Sequence, residues 1–132
     1  LGKTHLSTSV AKYLIENGYD VVYEIAQNIF SDFDTDRFRD RFSDTELLSE
    51  RYLDCDLLFI DDLGTELTNS LVFTELFSLI TERILRNKST IISTNLTVEE
   101  MSRRYSPQIA SRLQGGFLGL TFVGEDIRLI KN

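Results

Sequence analysis

Leu57-Leu58-Phe59-Ile60-Asp61-Asp62-Leu63-Gly64 is the stretch on which the fold turns. Its leading apolar residues read as a buried strand, and two carboxylates emerge together at the carboxyl end of that strand. In open α/β sheets that end is where ligands bind. A carboxylate pair there suits a magnesium ion with a water to be activated beside it. Taken alone, Asp-Asp-Leu-Gly after a strand reads equally well as a polar turn.

A second stretch, Leu1-Gly2-Lys3-Thr4, has the form of the tail of a phosphate-binding loop. Gly-Lys-Ser/Thr arises by chance in on the order of one chain in fifteen of this length, so it decides nothing by itself. The order of segments is more selective. Gly-Lys-Thr, a helix, a strand, an insertion and then an acidic strand end is the succession a P-loop nucleotide hydrolase requires. A complete loop has its first glycine five positions before the second. The sequence is therefore expected to be truncated inside that loop, without the strand that should precede it.

Working outward, residues 3–17 read as a helix with Leu6, Val10, Tyr13 and Leu14 on one face and Asn17-Gly18 as its stop. Asp20–Ala26 reads as a strand, 28–54 as two short helices in a charged segment, and Asp56–Ile60 as the acidic-ended strand. Ser70–Arg86 carries Val72, Phe73, Leu76, Phe77, Ile80 and Ile84 at helical spacing, with Asn69 or Ser70 as cap. Ser89–Thr94 is a β-branched strand ending at Asn95. Thr97-Val98-Glu99-Glu100 is a capping box, and Ser106-Pro107 opens a further helix that Gly115-Gly116 should stop. Phe117–Val123 reads as a last strand. Strands alternating with helices imply one α/β domain over residues 1–132, a three-layer parallel sheet between helices.

The bulk numbers agree with a single globular domain. The chain has 132 residues, 42% of them hydrophobic, with Phe 9 and Tyr 5. No apolar run approaches a membrane span and no signal peptide is evident, so no membrane partner is expected. The single cysteine, Cys55, cannot form an internal disulfide and reads as a small inert hydrophobe; a cytoplasmic setting fits. A net charge of −7 argues against a broad nucleic-acid footprint, so any DNA contact must be local.

Lys3 is the strongest single candidate for chemistry. Its ammonium would reach the β- and γ-phosphates, while Thr4 would place its hydroxyl on magnesium. A solvated lysine is disfavoured there, because a cation at a helix N-terminus opposes the macrodipole. His5 reads as packed or solvated. Asp61 would hold Mg2+ and Asp62 would orient the attacking water. Glu66, in the same loop, is a weaker candidate for the base and reads better as a solvated turn residue. Asn95 could hydrogen-bond the γ-phosphate and the water without competing for the metal, or simply form a turn. Arg112 could reach a neighbouring subunit's γ-phosphate, or merely suit a helix C-terminus. Arg128 could contact the phosphates of its own subunit, whereas Arg103 and Arg104 read as solvated. In 28–54, Phe30, Phe33, Phe38 and Phe42 alternate with Arg37, Arg39 and Arg41, a pattern that can stack single strands. Asp32, Asp34, Asp36, Asp40 and Asp44 cancel that field, and phenylalanines so spaced more often pack helices onto a core.

Gly2-Lys3-Thr4-His5-Leu6, Leu58 to Gly64, Ile91-Ile92-Ser93-Thr94-Asn95-Leu96 and Ile109-Ala110-Ser111-Arg112-Leu113 resemble, in order, motifs of the AAA+ ATPase domain of the bacterial DnaC/DnaI helicase loaders. The transposition helper IstB is similar in the same places. The resemblance implies a P-loop (AAA+) core that uses ATP and Mg2+. Gly2, Lys3 and Thr4 would end Walker A, and Asp61 and Asp62 would form Walker B. Asn95 would be sensor 1, Arg112 an arginine finger and Arg128 sensor 2. It implies self-association at the ATP interface, single-stranded DNA near 28–54, and a replicative hexameric helicase gripped through an amino-terminal region outside this sequence. Walker B in most AAA+ ATPases is Asp-Glu; Asp61-Asp62 departs from that and implies slow, switch-like turnover. The rival readings are an IstB-like transposition helper, which shares every motif, and a non-hydrolysing nucleotide-binding scaffold. A small-molecule kinase is disfavoured, because no lid-like arginine cluster is evident.

Overall fold

The computed structural model describes residues 3–39, 46–66 and 70–116, excluding the side chains of residues 3, 4, 7, 70 and 116. Strands β1 (Val21–Ile25), β2 (Leu57–Leu63) and β3 (Ser89–Thr94) form a parallel sheet in the order β1-β2-β3. Period-two alternation sends Leu57 and Phe59 to one face and Leu58 and Ile60 to the other. Helix α1 (Lys3–Glu16) lays Val10, Ala11 and Leu14 on the first face, against Val21, Leu57, Phe59 and Ile91. The second face carries the larger core. Ile29 and Phe30 of α2 (Ala26–Arg37) and Tyr52 of α3 (Glu50–Asp54) pack there with Leu76 and Ile80 of α4 (Ser70–Leu85). Helices α5 (Val98–Arg104) and α6 (Pro107–Gly116) add Met101 and Ile109. The three-layer arrangement expected from the alternation of elements is the one observed.

Local chemistry explains the element ends. Gly18, at φ +84°, turns the chain out of α1, and the Tyr19 N–H closes on Leu14 O at 3.0 Å. Thr97 Oγ1 accepts the Glu100 N–H at 3.1 Å, the expected cap of α5. Ser106 Oγ accepts the Ile109 N–H at 3.1 Å, with Pro107 as the first helical residue of α6. Helix α6 runs through Gly115 to Gly116 rather than stopping before the pair. Strand β1 excludes Asp20 and Ala26, the latter already being the first residue of α2. On α1, Leu6 and Tyr13 are exposed and Ala11 takes the buried place, because the contact stripe is narrow. On α4, Ile84 is exposed, whereas Leu79 and Arg83 are buried.

Arg83 is fully buried, and its guanidinium donates to the carbonyls of Tyr52 (2.8 Å), Cys55 (3.0 Å) and Ser89 (2.6 Å) and to Thr90 Oγ1 (2.8 Å). It ties the end of α3 and the start of β3 to α4. Burial pulls the Arg83 pKa below its ordinary value and pushes the adjacent Cys55 thiol up. Cys55 is thus the inert buried thiol the sequence suggested. Phe30 is buried and Phe33 packs against the core, which answers the aromatic pattern of 28–54 at these two positions; Phe38 is exposed. Arg37 pairs with Asp34 and Glu75. Residues 41, 42 and 69 and the strand expected over 117–123 lie outside the described residues. Among the described residues, no helix is long and apolar enough to cross a membrane.

Candidate functional site

The pairing of β2 with β3 is regular from Leu57↔Ser89 to Ile60↔Ile92, then resumes at Leu63↔Thr94. One extra residue therefore sits in β2 at Asp61-Asp62, a β-bulge, and Asp62 takes φ +54°. The strand thus continues past Ile60, where the sequence reading ended it. The bulge solves a packing problem. Unbroken alternation would aim Asp62 into the core beside Leu58 and Ile60. With the extra residue, Leu63 takes that inward place at 1% exposure and Asp62 stays exposed. Asp61 keeps the α1 side of the sheet, in step with Leu57 and Phe59.

Asp61 is held from two directions. The Tyr23 hydroxyl on β1 donates to its Oδ2 at 2.7 Å, and the Asp62 N–H meets its Oδ1 at 3.1 Å. Tyr23 reaches it by lying over Phe59, ring centroids 5.4 Å apart. Nothing in the sequence singled out Tyr23; its alternation with Val21 and Ile25 in a strand beside β2 was the available signal. Asn95 follows β3 directly, so it stands at the same edge of the sheet as the aspartates. The β2–β3 edge is fastened there by Thr94 Oγ1, which donates to Leu63 O at 2.6 Å and accepts the Leu96 N–H at 3.1 Å.

Helix α1 packs on the sheet and leads through residues 17–20 into the start of β1, so it runs back against the strand direction. Its first residues, Lys3 and Thr4, consequently lie toward the carboxyl edge that carries Asp61. The side chains of Lys3 and Thr4, and Gly2 and Arg128 altogether, fall outside the described residues. His5 is exposed. Arg112 lies on α6, on the face opposite α1, with its guanidinium carbon 5.6 Å from the centre of the Phe77 ring. The structure thus groups Asp61, Asp62 and Asn95 at one edge and leaves Arg112 on another element, exposed.

Two sequence expectations are overturned nearby. Glu66 is not a solvated turn residue: it is 2% exposed, accepting the Gly64 N–H at 2.8 Å and the Tyr105 hydroxyl. Arg104 is not solvated either, because its guanidinium donates to Glu66 O. A shallow open groove between α5 and α6, lined by Val98, Arg103, Pro107 and Ser111 among others, shares no residue with the carboxyl edge of β2.

The donor set suits Mg2+. Carboxylate oxygens are hard ligands, and among the described residues no group of three or more His, Cys, Asp or Glu forms a metal cage. Magnesium is ordinarily held by one or two carboxylates together with substrate phosphates, which is what the paired aspartates can offer.

A parallel sheet between helices, with an acidic strand end on the α1 side, is the arrangement found in the AAA+ class of P-loop ATP-binding proteins. The matches place the chain within it. Residues 1–112 match the model of the IstB-like ATP binding protein family, and the chain belongs to that family. It is 27% identical over 118 residues to the chromosomal replication initiator protein DnaA of Acholeplasma laidlawii, covering 88% of this chain and 26% of that protein. A crystal structure of the DnaC helicase loader superposes with a TM-score of 0.71 at 26% identity, over 87% of this chain and 68% of that one. Domain III of the Thermotoga maritima replication initiation protein DnaA gives 0.72 at 26% identity, over 88% and 48%. The chain spans about a quarter of the length of the curated DnaA relative.

Proposed function

We propose that this chain binds and hydrolyses ATP with Mg2+, and that the protein carrying it loads a replicative hexameric helicase onto DNA. The observation that carries the hydrolytic reading is the bulged pair Asp61-Asp62 at the carboxyl edge, with Asn95 just past the end of the neighbouring strand. Gly2, Lys3 and Thr4 would bind the phosphates, with Thr4 and Asp61 as metal ligands and Arg128 on the nucleotide. Asp62 would orient the water and Asn95 would sense the γ-phosphate. Tyr23 would hold the Asp61 carboxylate in place, as its hydrogen bond suggests. When bound, Mg2+ would neutralise charge on the β- and γ-phosphates.

Arg112 would act in trans, because its helix packs away from the α1 face and its side chain is exposed. In the full-length protein, Lys3→Ala should abolish ATP binding. Arg112→Ala should keep binding and lower turnover by about a thousandfold or more, the contribution of an arginine finger. Equal loss of binding in both variants would refute the trans role. Asp62→Asn should retain ATP and lose turnover; unchanged turnover would favour a water oriented elsewhere. The family match favours one second reading, a transposition helper. Pull-downs of the full-length protein with and without ATP distinguish the two: a replicative helicase supports the loader, a transposase the helper.

A further inference from the structure

Glu66 poses a question that hydrolysis alone does not answer. A carboxylate buried to 2% exposure is costly unless its oxygens are all used, and an apolar pair of similar volume would pack there at no less stability. Here each oxygen has a task. Oε2 holds the Gly64 N–H at 2.8 Å, in the loop that leaves the Asp61-Asp62 bulge. Oε1 takes the Tyr105 hydroxyl, and the main-chain oxygen takes Arg104. Arg104 ends α5, and Tyr105-Ser106 is the corner before α6 begins at Pro107. Burial and the facing carboxylate hold the Tyr105 pKa well above its ordinary value, so the phenol remains a donor.

The corner and Arg112 rest on the same helix. The Tyr105 ring stands edge-on to Phe73, centroids 6.0 Å apart, while Arg112 rests over Phe77 one turn further along α4. Tyr105 and Arg112 thus bear on one ridge of α4. Pro107 fixes φ at the first residue of α6, so the direction of the helix follows from the corner.

We propose that Glu66 is a positioning residue: through Tyr105 and Arg104 it fixes the α5–α6 corner to the loop behind the twin aspartates and so sets where Arg112 stands when offered to a second copy of this chain. The inference rests on the trans role of Arg112 given above. It makes Glu66 important for the subunit that offers the arginine, not for the subunit that holds the nucleotide.

Mixing full-length subunits separates the two. Lys3→Ala subunits hold no ATP but offer an intact Arg112; Arg112→Ala subunits hold ATP but offer none. Mixing these two should restore turnover, and failure would refute the trans reading itself, before Glu66 enters. Glu66→Gln and Tyr105→Phe should each bind a fluorescent ATP analogue with unchanged Kd and lose at least roughly tenfold in turnover as pure assemblies. Mixed with Lys3→Ala subunits, each should regain turnover; mixed with Arg112→Ala subunits, neither should. A Glu66→Gln or Tyr105→Phe subunit that stays inactive beside Lys3→Ala, loses ATP affinity, or turns over normally alone would overturn the proposal. Tyr105→Phe keeps the ring against Phe73 and carries the test where Glu66→Gln does not fold.

Discussion

A buried guanidinium with no ion-paired carboxylate among the described residues survives only if its donors are spent elsewhere, and Arg83 spends them on carbonyls of Tyr52, Cys55 and Ser89. The bonds to the Tyr52 and Cys55 carbonyls are buried, so deleting the donor strands those acceptors. Arg83→Met should lower the unfolding free energy by on the order of 3–5 kcal/mol, through several unsatisfied acceptors at once. In urea this would appear as a lower midpoint with unchanged slope. Arg83→Lys should recover little, because a point ammonium cannot replace the planar fork; a midpoint like that of wild type would show that the fork is dispensable. The sequence marked α4 as amphipathic and passed over this residue. Leu76, Leu79, Ile80 and Arg83 share one helical row, and a charged residue in that row was the signal available. Glu66 and Arg104 escaped for the same reason: composition assigns charge to solvent, and only the fold reveals partners brought from distant positions.

At the scale of elements, the β2 bulge and the loop behind it make demands that residue type can test. Asp62 lies in the left-handed region, which Asn tolerates and β-branched residues resist. Asp62→Asn should therefore leave the thermal midpoint unchanged, so that any lost turnover in that variant is chemical, whereas Asp62→Val should lower it. Gly64 has φ +111°, and a Cβ there would lie 2.7 Å from Leu96 Cδ1. Gly64→Ala should cost about 1–3 kcal/mol. A midpoint unmoved in both Asp62→Val and Gly64→Ala would mean that this backbone is not held as described. The strand itself was legible from its apolar run, and so was the acidic edge. The bulge was not, since carboxylates ended the apolar signal at Ile60 while the ladder continued to Leu63.

Across the whole molecule, the two edges of the sheet are built differently. At the amino edge, Asp56 accepts the Asp20 N–H at 2.9 Å and meets Lys88 at 3.6 Å, and Arg83 fastens α3 and α4 beside them. The carboxyl edge is interrupted by the bulge. Hydrogen exchange should find the amides of 57–60 at least roughly tenfold slower than those of 61–63; a uniform profile along β2 would contradict this. Most of this architecture was readable in advance, because alternating helices and strands leave a parallel sheet few other arrangements. The place of Asn95 next to the aspartates followed from that logic, whereas β1 on the other side of β2 is known from the structure alone. Which residues lock the edges did not, since locks of this kind are long-range and carry no period.

The extra residue in β2 also bears on how such a protein can change over generations. Because Leu63 rather than Asp62 fills the inward position, the second acidic side chain stays out of the core. A lineage can neutralise that side chain without repacking the core, provided that the new residue accepts the left-handed backbone.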